Sequence, residues 1–315
     1  MKALRYVILC ICLLGFCTRL DAYDPKETKA LSHYIMGVYY EDLGDADKAL
    51  DEYRQALKSE SASSIHIGLA SAYVRKGDLA QAIGELKKAV ALEPDSIEPH
   101  AVLAIIYASL NKTALAESEY EAALKLSLKQ GKEDPAVRKS LGALYLKQDK
   151  PKDAETSFKS ALAIAPNDPQ AHFYLGLAYE KQKETALSEK EIKEAIRLNP
   201  EFAVALNYLG YTYALQNRNL NEAERLVNRA LKLDPHNGAY IDSLGWVYFK
   251  KGRYRQALEQ LEKAGILLED AEVYDHLGDV YLKLGNKEKA KENYRKSLEL
   301  VPDQVLVKGK FNKIK

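Results

Sequence analysis

The chain has 315 residues, and its 46 lysines and arginines nearly balance its 45 aspartates and glutamates. This balance leaves no overall field to attract nucleic acid or an anionic membrane, so we expect no nucleic-acid partner. Hydrophobic residues make up 47% of the chain, and only 17 glycines and 10 prolines interrupt it, which is typical of a helical protein.

Residues 1–22 have the layout of a secretory signal peptide. A positively charged start precedes an apolar run over residues 6–17, which is too short to span a bilayer because a spanning helix takes about 20 residues. The small residue Ala22 follows, and we predict cleavage after it. The sequence therefore predicts export to the periplasm or cell envelope, with an uncleaved anchor or a buried helix as the alternative.

All three cysteines, Cys10, Cys12 and Cys17, lie inside this leader. A mature chain that starts after the leader would lack a disulfide framework, a thiolate metal ligand and a cysteine nucleophile. Bacterial lipidation at Cys17 would need a small residue before the cysteine, and Phe16 stands there instead. The sequence therefore argues against an outer-membrane lipid anchor at Cys17.

A short motif, leucine-glycine followed by tyrosine three residues after the glycine, recurs in the rest of the chain at intervals of about 34 residues. The full motif occurs in SLGALY (140–145), YLGLAY (174–179), YLGYTY (208–213), SLGWVY (243–248) and HLGDVY (276–281), and the weaker copies are IMGVYY (35–40), GLASAY (68–73) and VLAIIY (102–107). Each copy precedes a small residue of the kind that lets two helices cross closely, and a proline ends several units. The pattern predicts helix–turn–helix units that bury their apolar faces by stacking on neighbours.

These units resemble the tetratricopeptide repeat (TPR), a helix–turn–helix unit of about 34 residues. The resemblance covers residues 30–304 and implies an all-α fold, a right-handed superhelical solenoid of about eight repeats. A lead-in over residues 23–29 precedes the array, and residues 305–315 form a basic tail or partial cap. The predicted repeats span residues 30–62, 63–96, 97–134, 135–168, 169–202, 203–237, 238–270 and 271–304.

Two steps between repeats are longer than the others. Residues 125–135 make one step about four residues longer, and residues 216–224 contain about one extra residue. We interpret both as lengthened turns; either could also bend the solenoid or present a loop.

No catalytic constellation is apparent in the sequence. His33, His66, His100 and His172 share the fourth position of their repeats, which favours packing over metal binding because they lie a repeat or more apart. There is no glycine-rich phosphate loop and no strand to support a nucleophile elbow. We therefore predict a protein that is not an enzyme and that uses no metal or cofactor.

The TPR resemblance implies that the second, fifth, ninth and twelfth positions of each first helix line a ligand-binding groove. In the last four repeats these positions are aromatic and acidic. Aromatic side chains anchor partner peptides, and carboxylates favour a basic partner or peptide amides. The candidate protein-binding residues are Phe173, Asn207, Tyr211, Asp242, Trp246, Phe249, Asp275 and Asp279. The alternative for Trp246 is packing between repeats.

The C-terminal half is also similar to bacterial envelope TPR proteins, some of them lipoproteins, that deliver cell-wall hydrolases to a processing protease. The shared features are the extra residue of the sixth copy, DSLGWVY and HLGDVY. This resemblance implies a non-catalytic scaffold or adaptor whose partner is an envelope protease or a cell-wall enzyme. The alternatives are an assembly or secretion factor for surface polymers or pili, and a non-catalytic subunit that completes a partner enzyme.

Overall fold

The computed structural model describes residues 24–314. The described residues form 17 helices and no strand. These are α1 (Pro25–Asp42), α2 (Ala46–Leu57), α3 (Ser63–Arg75), α4 (Leu79–Leu92), α5 (Ile97–Ser109), α6 (Thr113–Gln130), α7 (Pro135–Lys147), α8 (Pro151–Ile164), α9 (Pro169–Lys181), α10 (Thr185–Leu198), α11 (Ala203–Leu215), α12 (Leu220–Leu233), α13 (Gly238–Lys250), α14 (Tyr254–Leu267), α15 (Ala271–Lys283), α16 (Lys287–Leu300) and α17 (Val305–Lys313). The predicted leader, its cleavage site and the three cysteines lie outside the described residues.

The helices alternate as first and second helices of successive TPR hairpins, and α17 follows the last hairpin. The predicted all-α fold of TPR helix–turn–helix units is therefore confirmed. The chain divides into two compact units, Met1–Leu144 and Tyr145–Lys315, and the boundary falls inside α7. Between residues 24 and 314, no helix combines the length and the apolarity that crossing a membrane takes.

The glycine of the repeated motif marks the closest approach between helices. In the first unit the fully buried ring of Tyr53 lies against the motif glycine Gly37, and also against Gly68, which stands two residues before the motif position of the next repeat. A Cβ atom would lie 2.6 Å from Tyr53 Cδ1 if added at Gly37, and 2.6 Å from Cζ if added at Gly68. In the second unit, the ring of Tyr294 lies in the same way against Gly278. The predicted role of this glycine, to let the second helix approach the first, is confirmed.

The small residues of the second helices are also buried where helices cross. The first small residue after the motif has no exposed surface in seven repeats, at Ala49, Ala82, Ala116, Ala154, Ala223, Ala257 and Ala290. Because a larger side chain would hold the helix axes apart, these positions and the glycines together set the close spacing of the hairpins.

The first of the two long steps differs from its predicted form. The extra residues extend α6 to 18 residues, whereas the other second helices have 12 to 14. The interpretation as a lengthened turn was therefore wrong here, because the segment KLSLKQ consists mostly of good helix formers and stops only at Gly131, which has φ 62°. The extra residue of the sixth repeat does lie in the turn, where Asn217 and Asn219 both have φ 50°.

The four histidines at the fourth repeat position each make the same polar contact. In each case Nδ1 donates a hydrogen bond of 2.6 to 2.7 Å to a glutamate on the second helix of the same hairpin. The pairs are His33–Glu52, His66–Glu85, His100–Glu119 and His172–Glu191. These histidines therefore join the two helices of their hairpins.

The turn inside each hairpin contains a residue in the left-handed region, usually glycine or asparagine, but Lys183 occupies this place in the fifth repeat with φ 65°. A β-carbon makes this conformation unfavourable by about 1–2 kcal/mol, so we expect Lys183→Gly to stabilise the second unit by about 0.5–1 kcal/mol after the entropy cost of glycine. Urea unfolding followed by Trp246 fluorescence measures the effect. Lys190→Gly, at an exposed position inside α10, is the control and should destabilise by about 1 kcal/mol. A neutral or destabilising Lys183→Gly would contradict this turn geometry.

Candidate functional site

The second unit contains a cleft of about 490 Å³ on the side of its first helices. Residues of α11, α13, α15 and α17 line it, together with Gln304 before α17. Five predicted groove residues are among them: Tyr211, Trp246, Phe249, Asp275 and Asp279. The other lining residues are Leu215, Lys250, Glu272, His276, Gln304 and Lys310. These five aromatic and acidic residues, predicted from the last three repeats, therefore meet in one cleft.

A stack of three rings forms the aromatic side of the cleft. Trp246 lies between Phe249, with ring centroids 4.7 Å apart and planes 7° apart, and His276, with centroids 3.9 Å apart and planes 16° apart. The Lys250 ammonium group lies 4.7 Å from the centre of the Trp246 ring. Only 7% of Trp246 is exposed. The tryptophan is thus a firmly packed part of the cleft, and it packs between repeats as well as facing the cleft.

His276 is held from behind by the carboxylate of Asp242. The imidazole Nδ1 lies 3.0 Å and 3.2 Å from the two carboxylate oxygens, and both residues are buried. Burial alone would lower the pKa of His276, but the charge and hydrogen bond of Asp242, helped by Glu272 and Asp275, outweigh burial and raise the pKa. The raised pKa makes the protonated imidazole more favourable than in a free histidine, and in that form His276 would stack on the Trp246 ring as a cation.

Asp275 and Asp279 share one cation, Lys310 of α17. The ammonium Nζ donates to both oxygens of Asp275 and to Oδ2 of Asp279, each at 2.8 Å, and Tyr294 donates to Oδ1 of Asp279 at 2.6 Å. Burial raises the pKa of Asp275 despite the opposing charge of Lys310. Burial acts to lower the pKa of Lys310, but its hydrogen bonds with the two aspartates raise that pKa overall.

A hydrogen bond also crosses one side of the cleft. The hydroxyl of Tyr211 on α11 donates to the carboxylate of Glu272 on α15, so it links the sixth repeat to the eighth. Burial, and then the Glu272 carboxylate, raise the pKa of Tyr211 well above its ordinary value. The phenol therefore stays protonated and acts as a donor.

The acidic residues follow a positional rule. Asp242 and Asp275 occupy the fifth position of their first helices, and each is paired with a cation, His276 or Lys310, at the sixth position of the next first helix. In α11 the fifth position is Asn207, whose Oδ1 is buried and has no hydrogen-bond partner within residues 24–314. Asp242 thus joins the seventh repeat to the eighth, and Asp275 joins the eighth repeat to α17.

The remaining predicted residues lie away from the cleft lining. Phe173 is buried in the core, where its ring centroid lies 5.3 Å from that of Phe202 and 5.7 Å from that of Tyr208. Asn207 is partly buried on α11, and Asp242 lies behind the cleft, where it contacts His276.

Six of the lining residues were not predicted from the sequence, and two of them, His276 and Lys310, pair with predicted carboxylates. His276 is at the sixth position, which the groove rule omits, and Lys310 belongs to the segment predicted as a tail. A search for an acidic residue at the fifth position of one first helix and a basic residue at the sixth position of the next first helix would have identified both. Among the described residues, no group of three or more His, Cys, Asp or Glu side chains is arranged to hold a metal ion.

The fold and the repeated motifs define a TPR protein, a class that binds proteins or peptides and is typically non-catalytic. A family profile described as the cilia and flagella-associated protein 70 C-terminal domain matches residues 22–206, more than half of the chain. The chain therefore belongs to this family of tetratricopeptide repeat domains. General TPR profiles match residues 175–238, 240–264 and 271–304.

Individual relatives extend the comparison. The chain is 35% identical over 78 residues to the type IV pilus assembly protein PilF of Pseudomonas aeruginosa, a match that covers 25% of this chain and only 27% of that protein. A crystal structure of a TPR protein from Parabacteroides merdae superposes with a TM-score of 0.63 at 21% identity, covering 79% of this chain and 97% of that one. The structure of Pseudomonas aeruginosa PilF gives a TM-score of 0.59 at 19% identity, with coverage of 69% and 97%. These structural likenesses describe the fold.

Proposed function

We propose that the protein is an exported, non-catalytic scaffold that binds a partner protein in the cleft of its second unit. The observation that carries this proposal is the cleft itself, in which Tyr211, Trp246 and Phe249 from different repeats meet beside carboxylates. Rigid aromatic side chains bury much area at low entropic cost, which suits them to anchor a partner. Leu215 adds an apolar side chain to the same lining and is 51% exposed.

Export is supported by the leader-like composition of residues 1–22, and it would place the scaffold in the periplasm or cell envelope. Within that compartment we propose an adaptor role, in which the partner is an envelope protease or a cell-wall enzyme. The similarity of the C-terminal half to envelope adaptors of this kind supports the role. A subunit that completes a partner enzyme would use the same cleft and would be recognised by its effect on that enzyme's activity.

A second candidate function is the assembly of a surface filament or pilus. The observation that favours it is the 35% identity over 78 residues with the pilus assembly protein PilF. The two candidates differ in the partner that they require, so identification of the bound protein separates them.

The test compares a cleft variant with a matched variant outside the cleft. Leu215→Arg changes the exposed end of α11, and Leu233→Arg changes another exposed leucine (42% exposed) on α12 of the same repeat. The full chain captures partners from envelope extract, mass spectrometry identifies them, and the purified partner is titrated with each variant. We expect Leu215→Arg to weaken binding at least about tenfold, because a buried contact at an interface centre is worth more than about 1 kcal/mol.

Leu233→Arg should leave the partner's affinity unchanged. A protease or cell-wall enzyme as the captured partner would support the adaptor, whereas a filament or secretion component would support assembly. Equal affinity of the Leu215→Arg variant and the parent chain would contradict binding in this cleft.

A further inference from the structure

The cleft carries more negative than positive charge. The carboxylates of Glu272, Asp275 and Asp279 line it together with two lysines, Lys250 and Lys310. His276 is compensated separately by Asp242 behind it. If Lys310 swings out, the Asp275–Asp279 pair has no cation, so this part of the cleft then favours a positively charged group.

Lys310 is more exposed than the two carboxylates that it contacts. Its side chain is 32% exposed, while those of Asp275 and Asp279 are 19% and 17% exposed. Helix α17 is attached through other residues, chiefly Val307 and Ile314, which are 3% and 8% exposed in the core of the second unit. Because a lysine has a flexible four-carbon stem, its ammonium group can turn into water while α17 stays docked.

Trp246 provides an independent indication of a ligand. The residue lines the cleft and is 7% exposed, and its indole Nε1 is buried without a hydrogen-bond partner anywhere in the described part of the chain. Buried donors in folded proteins nearly always have an acceptor, so an unpaired one calls for explanation. A peptide carbonyl that enters the cleft at the edge of the indole ring would supply the acceptor.

We propose that the cleft recognises a lysine or arginine of its partner at Asp275 and Asp279, and that Lys310 occupies this position until the partner displaces it. The inference rests on the proposed function, since it specifies the partner that the cleft takes. An apolar residue next to the basic one contacts Leu215 and Phe249, and a backbone carbonyl accepts from Trp246. Arginine suits the site well because its planar guanidinium can bond both carboxylates.

The test uses four pools of nine-residue peptides that differ only in a fixed central residue, which is Lys, Arg, Gln or Glu. The flanking positions are mixed apolar and small residues without tryptophan. Binding to the full chain is read from the fluorescence of Trp246, the only tryptophan of the protein, which lies in the cleft. We expect the Lys and Arg pools to bind the parent chain at least about tenfold more tightly than the Glu pool. We also expect Lys310→Ala to increase the affinity for the Lys and Arg pools at least about tenfold.

Lys308→Ala, an exposed lysine on the same helix, is the matched control and should leave all four affinities unchanged. Equal binding of the Lys and Glu pools, no binding of any pool, or no effect of Lys310→Ala would overturn the inference. Each of these outcomes is separable from the proposed function. Suppose that Leu215→Arg abolishes partner binding but the peptide pools show no charge preference. The cleft would then remain the binding site, and only the recognition of a basic side chain would be contradicted.

Discussion

Replacement of His276 by alanine is expected to destabilise the second unit by about 3–5 kcal/mol, because it leaves the buried carboxylate of Asp242 without its cation. The substitution also removes the ring that stacks on Trp246 at 3.9 Å. Urea unfolding followed by Trp246 fluorescence measures the loss. His236→Ala, at an exposed histidine in a turn, is the control and should change stability by less than about 0.5 kcal/mol.

A double-mutant cycle isolates the pair itself. The variant with both Asp242→Ala and His276→Ala removes both buried charges, so it should lose less stability than the sum of the two single variants. Strict additivity would contradict a coupled pair.

The pH dependence of the same cycle has a defined sign. Because the pKa of His276 is raised in the folded chain, the stabilisation is fully present below the ordinary histidine pKa of about 6.5 and is lost as pH rises through the folded value. The stability difference between the parent and the double variant should therefore narrow as pH rises above about 6.5. A difference that widens with rising pH would mean that His276 is held neutral.

Gly278→Ala is expected to destabilise the second unit by about 1–3 kcal/mol, although alanine is the better helix former. The new Cβ would lie 2.5 Å from Cδ1 and 2.9 Å from Cζ of Tyr294. The ring cannot easily move, because it has no exposed surface and its hydroxyl donates to Asp279. Urea unfolding followed by Trp246 fluorescence gives the free energy of unfolding.

The matched control is Gly265→Ala on α14 of the same unit. There the new Cβ would meet Leu277 at 3.5 Å and Val273 at 3.8 Å, which are ordinary contacts. We expect this variant to be neutral or to gain about 0.5–1 kcal/mol from helix propensity. If Gly278→Ala were as well tolerated as Gly265→Ala, the close packing of the hairpin would be contradicted.

The fold could be predicted from the sequence because the same physical requirement recurs in every repeat. A glycine or alanine at each crossing and a tyrosine on each first helix give many independent indications of one unit. The lengthened α6 could not be predicted in this way, since an insertion of good helix formers fits either a longer helix or a longer turn. Packing of the flanking hairpins decides between them.

The site could be predicted only in part. The groove rule found Tyr211, Trp246 and Phe249, because it needs only the phase of each repeat. Phe173 also occupies a groove position of its repeat, but the bulky side chains of Phe202 and Tyr208 enclose it. This enclosure depends on which residues the next repeat supplies. Pairs between consecutive first helices, such as Asp242 with His276, likewise depend on two repeats at once. The position of a residue within one repeat therefore predicts which way its side chain points better than it predicts which residue the side chain contacts.

Photo-crosslinking in living cells tests the central claim, partner binding in this cleft, most directly. A benzophenone amino acid replaces Leu215 at the mouth of the cleft or Leu233 on the second helix of the same repeat; both leucines are exposed. The predicted result is a covalent adduct with one partner protein from position 215 and none from position 233. Adducts from position 233 alone, or the same adducts from both positions, would contradict the cleft as the binding site.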